Sequence, residues 1–287
     1  MPAGSLQAIV LKSRAGDLDL SAGPVLAGIL NVTPDSFYDG GRYPAAPAAV
    51  AHGLAMLGAG ACWVDVGGMS TRPGSDEVPV EEEIRRVSAV VEELARRAPP
   101  GSWISIDTYR SVVAEAALER GACAVNDVSG FGLDPAMCDL VVSARCPVVI
   151  NHMKGTPRTM QIQPAYDSVL DELMVFFESR LDRFVKAGGD ERQVLIDPGI
   201  GFGKTLDHNL EILRGLDRLH DLGRPVFLGC SRKSFIERLA GASPEHRLPG
   251  SLAAAGWAAL KGVHVLRVHD VPETAQFLTV LCALRRM

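Results

Sequence analysis

The feature that most restricts how this chain can fold is an alternation repeated eight times: a short apolar run ending in polar residues, then a helical pattern. Strand-like runs lie at Val25 to Asn31, Trp63 to Gly67, Trp103 to Asp107, Ala124 to Asp127, Val148 to Asn151, Val194 to Asp197, Val226 to Gly229 and Val265 to Val268. Helical patterns occupy Ala45 to Gly58, Val80 to Arg97, Ser111 to Arg120, Pro135 to Ala144, Asp167 to Ala187, Asp207 to Leu219, Leu248 to Lys261 and Val271 to Leu284. Near-continuous apolar strands separated by helices predict a parallel sheet covered by those helices. Eight such units in 287 residues favour one (β/α)8 TIM barrel, typically about 250 residues long, over a doubly wound sheet. No linker divides residues 1–287, so a single domain is expected. Within residues 1–22, two apolar segments around Ser13 to Gly16 predict an N-terminal β-hairpin that closes one end of the barrel.

Composition narrows the classes of function. A hydrophobic fraction of 47% and a charged fraction of 22% are those of a globular protein. No apolar run approaches the roughly 20 residues needed to span a bilayer, and no charged segment with a long apolar core opens the chain, so a cytoplasmic protein without a membrane partner is expected. The net charge of −5 gives no general attraction to nucleic acid but allows a local basic pocket. Cys62, Cys123, Cys138, Cys146, Cys230 and Cys282 form no Cys-x-x-Cys pair, which points to small core residues rather than a metal site or disulfide framework.

Barrel active sites lie at the C-terminal ends of the strands. The residues ending the apolar runs are Asn31, Asp65, Asp107, Asn126, Asn151 with His152, Asp197, then Ser231, Arg232 and Lys233, and finally Arg267 with His269. Any one of them is as readily a helix cap or turn former, but a full ring of amides, acids and bases on one rim is hard to explain by caps alone. Asp107, Asn126 and Asp197 suit a flat heterocycle with adjacent N–H and amino donors. Lys233, Arg267, His269 and Arg72 suit a phosphate or diphosphate. Phe202 and Met153 are either apolar faces for a planar ring or rim packing. In Val194 to Thr205, an apolar run meets Asp197 and Pro198, and Gly199, Gly201 and Gly203 follow, as expected of a strand opening beneath a ligand. Lys204 reads as a loop or helix-start residue. Loops of roughly a dozen residues are often lids, and Val32 to Tyr43, with Asp35, Phe37 and the Gly40-Gly41 pair, and Gly67 to Pro79 both fit that description.

From about Leu26 to Val271 the chain resembles the dihydropteroate synthase family. The resemblance is carried by Gly28-Ile-Leu-Asn-Val-Thr-Pro-Asp-Ser-Phe-Tyr-Asp-Gly-Gly41, Asp65-Val-Gly-Gly68 with Ser70-Thr-Arg-Pro-Gly74, Ser105-Ile-Asp-Thr108, Asn126-Asp127, Asp197 to Lys204, Ser231-Arg-Lys-Ser234 and Arg267-Val-His269, all in the family's order. It implies condensation of (7,8-dihydropterin-6-yl)methyl diphosphate with 4-aminobenzoate to 7,8-dihydropteroate and diphosphate, with sulfonamides competing for the aminobenzoate site. Position by position, Asp107, Asn126, Asp197 and Lys233 would bind the pterin, with Met153, Phe202 and Gly229 lining its pocket. Asn31 would hold Mg2+ against the diphosphate, and Arg267, His269, Thr71 and Arg72 would contact its oxygens. Ser231, Phe37 and Arg72 would receive the aminobenzoate. Asp107, Asp197, Lys233 and Asp35 form the catalytic set, and a homodimer is implied, for which the apolar helices around Trp257, Leu260, Phe277 and Leu281 offer an interface.

One position departs from the pattern. Met69 stands where the family carries Glu after Gly67-Gly68, and a thioether cannot accept the hydrogen bonds of a carboxylate. If that Glu only orients the loop, activity survives, whereas a supporting role in catalysis would leave a slow or catalytically silent pterin-binding paralogue. The retained Thr71 and Arg72 favour an active enzyme. Two rival readings fit less well. A methyltetrahydrofolate:corrinoid methyltransferase has no need of the two anion motifs, and a generic phosphate-binding isomerase leaves Asp107, Asn126 and Asp197 unexplained.

Overall fold

A strand can be apolar along its whole length only if both of its faces are covered, and most of the strands here are apolar in that way. The computed structural model describes residues 9–33, 45–70, 75 and 77–285. In chain order the elements are β1 (Val10–Ser13), β2 (Gly16–Asp19), β3 (Val25–Asn31), α1 (Ala45–Gly58), β4 (Trp63–Gly67), α2 (Val80–Arg97), β5 (Trp103–Asp107), α3 (Ser111–Glu119), β6 (Ala124–Asp127), α4 (Ala136–Ala144), β7 (Val148–Asn151), α5 (Val169–Lys186), β8 (Val194–Asp197), α6 (Leu206–Arg214), β9 (Phe227–Gly229), α7 (Ser234–Ala240), α8 (Leu248–Leu260), β10 (Val265–Val268) and α9 (Val271–Arg285). Every residue of β4 to β9 is buried.

The eight long-range strands pair in parallel in the order β8-β7-β6-β5-β4-β3-β10-β9. A bridge between Ile196 and Val226, with the Ile196 N–H donating to the Pro225 carbonyl at 3.0 Å, joins the two ends into a barrel. This closure explains why the regular seventh barrel strand starts at Phe227, one residue later than the apolar run suggests: Val226 serves as the bridge. Outward-facing Val64, Ile104, Val125, Ile150 and Ile196 pack against Val87, Val91, Leu94, Leu173 and Ile212 of the helices. Inward-facing Trp63, Trp103, Val149, Leu195, Phe227 and Val265 fill the bottom of the barrel together with Leu11, Leu18 and Leu20. The N-terminal hairpin, paired from Val10↔Asp19 to Ser13↔Gly16, therefore seals the end opposite the strand C-termini, as the sequence predicts.

Two helical segments differ from expectation. The pattern from Asp207 to Leu219 breaks at Gly215, and a 3-10 turn follows over Leu216–Leu222. A Cβ at Gly215 would lie 2.5 Å from Leu170 Cδ1, so the glycine allows close packing against α5 and ends α6. Helix α7, seven residues long and stopped by left-handed Gly241 (φ 65°), lies outside the predicted set. Cys123, Cys138, Cys146 and Cys230 are buried core residues. Among the described residues no helix is long and apolar enough to cross a membrane.

Candidate active site

The two-residue alternation that floors the barrel with tryptophans also builds its mouth. Strand β4 turns Trp63, Asp65 and Gly67 to one face, and β5 does the same with Trp103, Ser105 and Asp107. The register Gly67↔Asp107↔Asn126 then sets the upper positions side by side. Arg267 pairs in register with Gly229, and Asn151 with Asp197. Asp107, Asn126, Asn151, Asp197 and Ser231 are all buried.

The predicted pterin residues come together around one charge network. Arg267 donates from Nε to Asp65 Oδ2 at 2.6 Å and from Nη2 to Asp107 Oδ2 at 2.5 Å. Asn126 Nδ2 donates to the same Asp65 Oδ2 at 2.9 Å, and Ser105 Oγ donates to Asp65 Oδ1 while accepting from the Trp63 indole at 2.6 Å. These bonds orient both acceptors that matter. Asp107 Oδ1 and Asn126 Oδ1 are left buried with no hydrogen-bond partner, an arrangement that costs about 1–3 kcal/mol per atom unless a ligand supplies donors.

Electrostatics follow from that burial. Desolvation lifts the Asp107 carboxyl to about 7 despite the opposing Arg267 charge, with Asp65, Glu83 and Asp127 adding to the rise. Burial likewise raises Asp197, which Lys233 partly offsets. The Lys233 ammonium is lowered to about 8 by burial, with Asp197 resisting. Asp197 Oδ1 accepts from the Gly199 N–H at 2.7 Å. Lys233 Nζ donates to the Ile200 carbonyl and sits 4.6 Å from the centroid of the Phe202 ring. Phe202 is half-buried and Met153 buried on the neighbouring loop.

On the other side of the mouth, Asn31 ends β3 beside Gly67. A Cβ at Gly67 would lie 3.6 Å from Asp107 Oδ2 and 3.8 Å from Asn31 Oδ1, so the glycine keeps the space between these two oxygens open. Ser231 Oγ accepts from the His269 N–H at 3.2 Å and lies 3.1 Å from His269 Nδ1, which joins a predicted aminobenzoate residue to a predicted diphosphate residue. Asp35, Phe37, Thr71 and Arg72 lie outside the described residues, as do residues 34–43 of the first predicted lid and residues 71–74 and 76 of the second. Met69 is 7% exposed and lines a small pocket with Ser75, Glu77, Tyr109 and Arg158. Glu77 is thus the acidic residue among those that line the pocket beside Met69.

Asp65, a strand-end residue with no role expected from the sequence, lies two residues below the rim, fully buried, as the counter-ion of Arg267 and an acceptor for the Asn126 amide. Aligning the Trp63-x-Asp65-x-Gly67 and Trp103-x-Ser105-x-Asp107 alternations would have revealed it. Lys204, expected at a loop or helix start, lies in the loop before Thr205, the N-cap of α6, and is buried.

The family described as pterin binding enzyme matches residues 27–269 of the chain. The dihydropteroate synthase of Escherichia coli K12 is 44% identical over 271 residues, covering 94% of this chain and 95% of the relative. A Xanthomonas albilineans dihydropteroate synthase structure with 4-aminobenzoic acid superposes with a TM-score of 0.91 at 44% identity, covering 98% and 99% of the two chains. A Yersinia pestis dihydropteroate synthase structure with a sulfonamide drug complex also gives 0.91, at 41% identity over 97% and 100% of the chains. The chain thus belongs to the pterin-binding enzyme family, whose dihydropteroate synthases it matches along nearly its whole length.

Proposed function

We propose that the chain carries out the dihydropteroate synthase reaction with the pterin ring seated on the Asp107, Asn126 and Asp197 side of the barrel mouth. The observation that carries this placement is the pair of orphaned buried acceptors, Asp107 Oδ1 and Asn126 Oδ1, beside Asp197. A pterin presents ring N–H and exocyclic amino donors along one edge, which is the complement those atoms lack. Lys233 supplies a donor to the ring's acceptor side, while Phe202, Met153 and the bare backbone of Gly229 bound its faces.

The reaction breaks the bond between the pterin methylene carbon and the diphosphate oxygen; the aromatic amine then attacks the methylene carbon and loses a proton. Asp107 and Asp197 stabilise positive charge as it develops on the pterin, and no side chain acts as a covalent nucleophile. Arg267 spends Nε and Nη2 on Asp65 and Asp107, which leaves its remaining N–H groups for a diphosphate oxygen, beside His269 and with Thr71 and Arg72. Ser231, Phe37 and Arg72 form the aminobenzoate end, where a sulfonamide would compete. Asp35 completes the catalytic set from the first loop.

Mg2+ fits the donors on this side of the mouth. Among the described residues no three His, Cys, Asp or Glu side chains cluster, and Mg2+ is commonly held by one or two protein oxygens, substrate phosphates and water rather than by a protein cage. Asn31 offers such an oxygen, and the bound ion would neutralise charge on the departing diphosphate. We further propose a cytoplasmic homodimer. Ala255, Phe277, Leu278 and Leu281 pack within the subunit, leaving Trp257, Leu260, Val280 and Leu284 as the exposed large apolar side chains of α8 and α9.

Calorimetry with a free pterin and with its diphosphate ester tests the division of the site. Asp197→Ala abolishes binding of both, whereas Arg267→Ala weakens the ester more than the free pterin; equal losses of free-pterin affinity would contradict the placement.

A further inference from the structure

Lys204 is 1% exposed, and its Nζ is fully engaged. Nζ donates to the Phe202 carbonyl at 2.9 Å and the His152 carbonyl at 3.3 Å, and lies 2.9 Å from His152 Nδ1. Burial pushes the Lys204 amine well below the usual lysine range, with Lys233 adding to the fall and Asp197 opposing it. Burial, with the neighbouring Lys204 adding to it, holds the His152 imidazole down at about 2, so the ring is neutral. The ring is held edge-on against Phe176 at 4.8 Å between centroids.

These contacts add a buried tie between the loops that follow β7 and β8, whose backbones also pack closely. Gly199 would place a Cβ 1.9 Å from the His152 carbonyl oxygen, and Gly203 would place one 2.5 Å from that of Lys154. From the same loop after β7, Gln161 Nε2 donates to the Gly201 carbonyl at 2.7 Å and the Tyr166 hydroxyl to the Gly203 carbonyl at 2.8 Å, so the two loops are also tied at residues 201 and 203. Lys204 makes the buried tie nearest the two apolar faces, because its partners are the backbone of residue 202 and the backbone and ring of residue 152. Each is, or adjoins, one of the two apolar faces, Phe202 and Met153.

We infer that Lys204 is a positioning residue for the condensation: by clamping the Phe202 carbonyl to His152 it sets the width of the slot between Phe202 and Met153 in which the pterin ring lies. This rests on the pterin placement proposed above. It makes Lys204 specific for one substrate. Losing the clamp widens the pterin slot and leaves the Ser231 and His269 end of the mouth untouched.

The test compares wild type, Lys204→Met, which keeps the side-chain volume but removes every donor, and His152→Phe, which keeps the ring packing but removes one acceptor. Three readouts are needed: calorimetric Kd for 6-hydroxymethylpterin, steady-state constants for each substrate at saturation of the other, and thermal unfolding. Lys204→Met raises the pterin Kd and the KM for pterin diphosphate about tenfold or more, with the KM for 4-aminobenzoate within about twofold of wild type. His152→Phe shifts the same two constants in the same direction by a smaller factor, and decides the matter if Lys204→Met does not fold. Wild type that binds no pterin would overturn the pterin placement and this inference with it. Wild-type binding with unchanged pterin constants in the folded variants, or equal losses for both substrates in step with a lower melting temperature, would overturn the inference alone.

Discussion

Asp107 and Lys233 carry their opposite charges together only in a narrow interval of pH. Burial raises the Asp107 carboxyl to about 7 and lowers the Lys233 ammonium to about 8. Below the first value Asp107 takes up a proton and no longer stabilises a pterin cation; above the second Lys233 loses its charge. Accordingly kcat/KM for pterin diphosphate rises with pH through about 7, falls above about 8, and approaches a tenfold change per pH unit on the outer limbs. Arg267 is the charge that pulls Asp107 downward, so Arg267→Ala moves the acid limb to higher pH. A profile flat from about pH 6 to 9 would remove Asp107 and Lys233 from the charged roles given to them.

The loop after β8 shows what a sequence tells about an element and what it withholds. Glycines after Asp197 were legible as a place where backbone must approach something closely, and Gly199 adopts φ 68° where a Cβ would lie 1.9 Å from the His152 carbonyl oxygen. Gly199→Ala therefore lowers stability by about 2 kcal/mol or more, since the left-handed backbone alone costs an L-residue about 1–2 kcal/mol. It also weakens pterin binding through the same loop; thermal unfolding and calorimetry that both match wild type would contradict this packing. Seven of the eight barrel strands were legible to the residue, because strands covered on both faces read as apolar runs stopped by polar ends. Less was legible where the deciding fact lies across the barrel. Asp65 looks like any strand-end acid until its register with Ser105 is known, and Lys204 looks like a solvated loop lysine until the β7 loop folds over it. Helix α7 escaped notice because seven residues give too little periodicity, and the break at Gly215 was masked by Leu216 and Leu219 continuing the apolar pattern.

At the scale of the whole molecule, a chain with net charge −5 gathers three basic side chains at one end of its barrel: Arg267, held by the acids Asp65 and Asp107 of β4 and β5, and Lys204 and Lys233, held by loop carbonyls. The opposite end is plugged by the hairpin and an apolar floor of tryptophans. Chemistry is thus confined to the face where the strands end, and the hairpin is left to a purely structural task. With the thioether of Met69 at its rim, this mouth joins a pterin to an aromatic amine. Following 7,8-dihydropteroate formation from purified protein with pterin diphosphate, 4-aminobenzoate and Mg2+ shows whether it does: the unaltered chain yields product and Asp197→Ala loses about a hundredfold or more, whereas no product from protein that still binds pterin would leave a silent pterin-binding barrel.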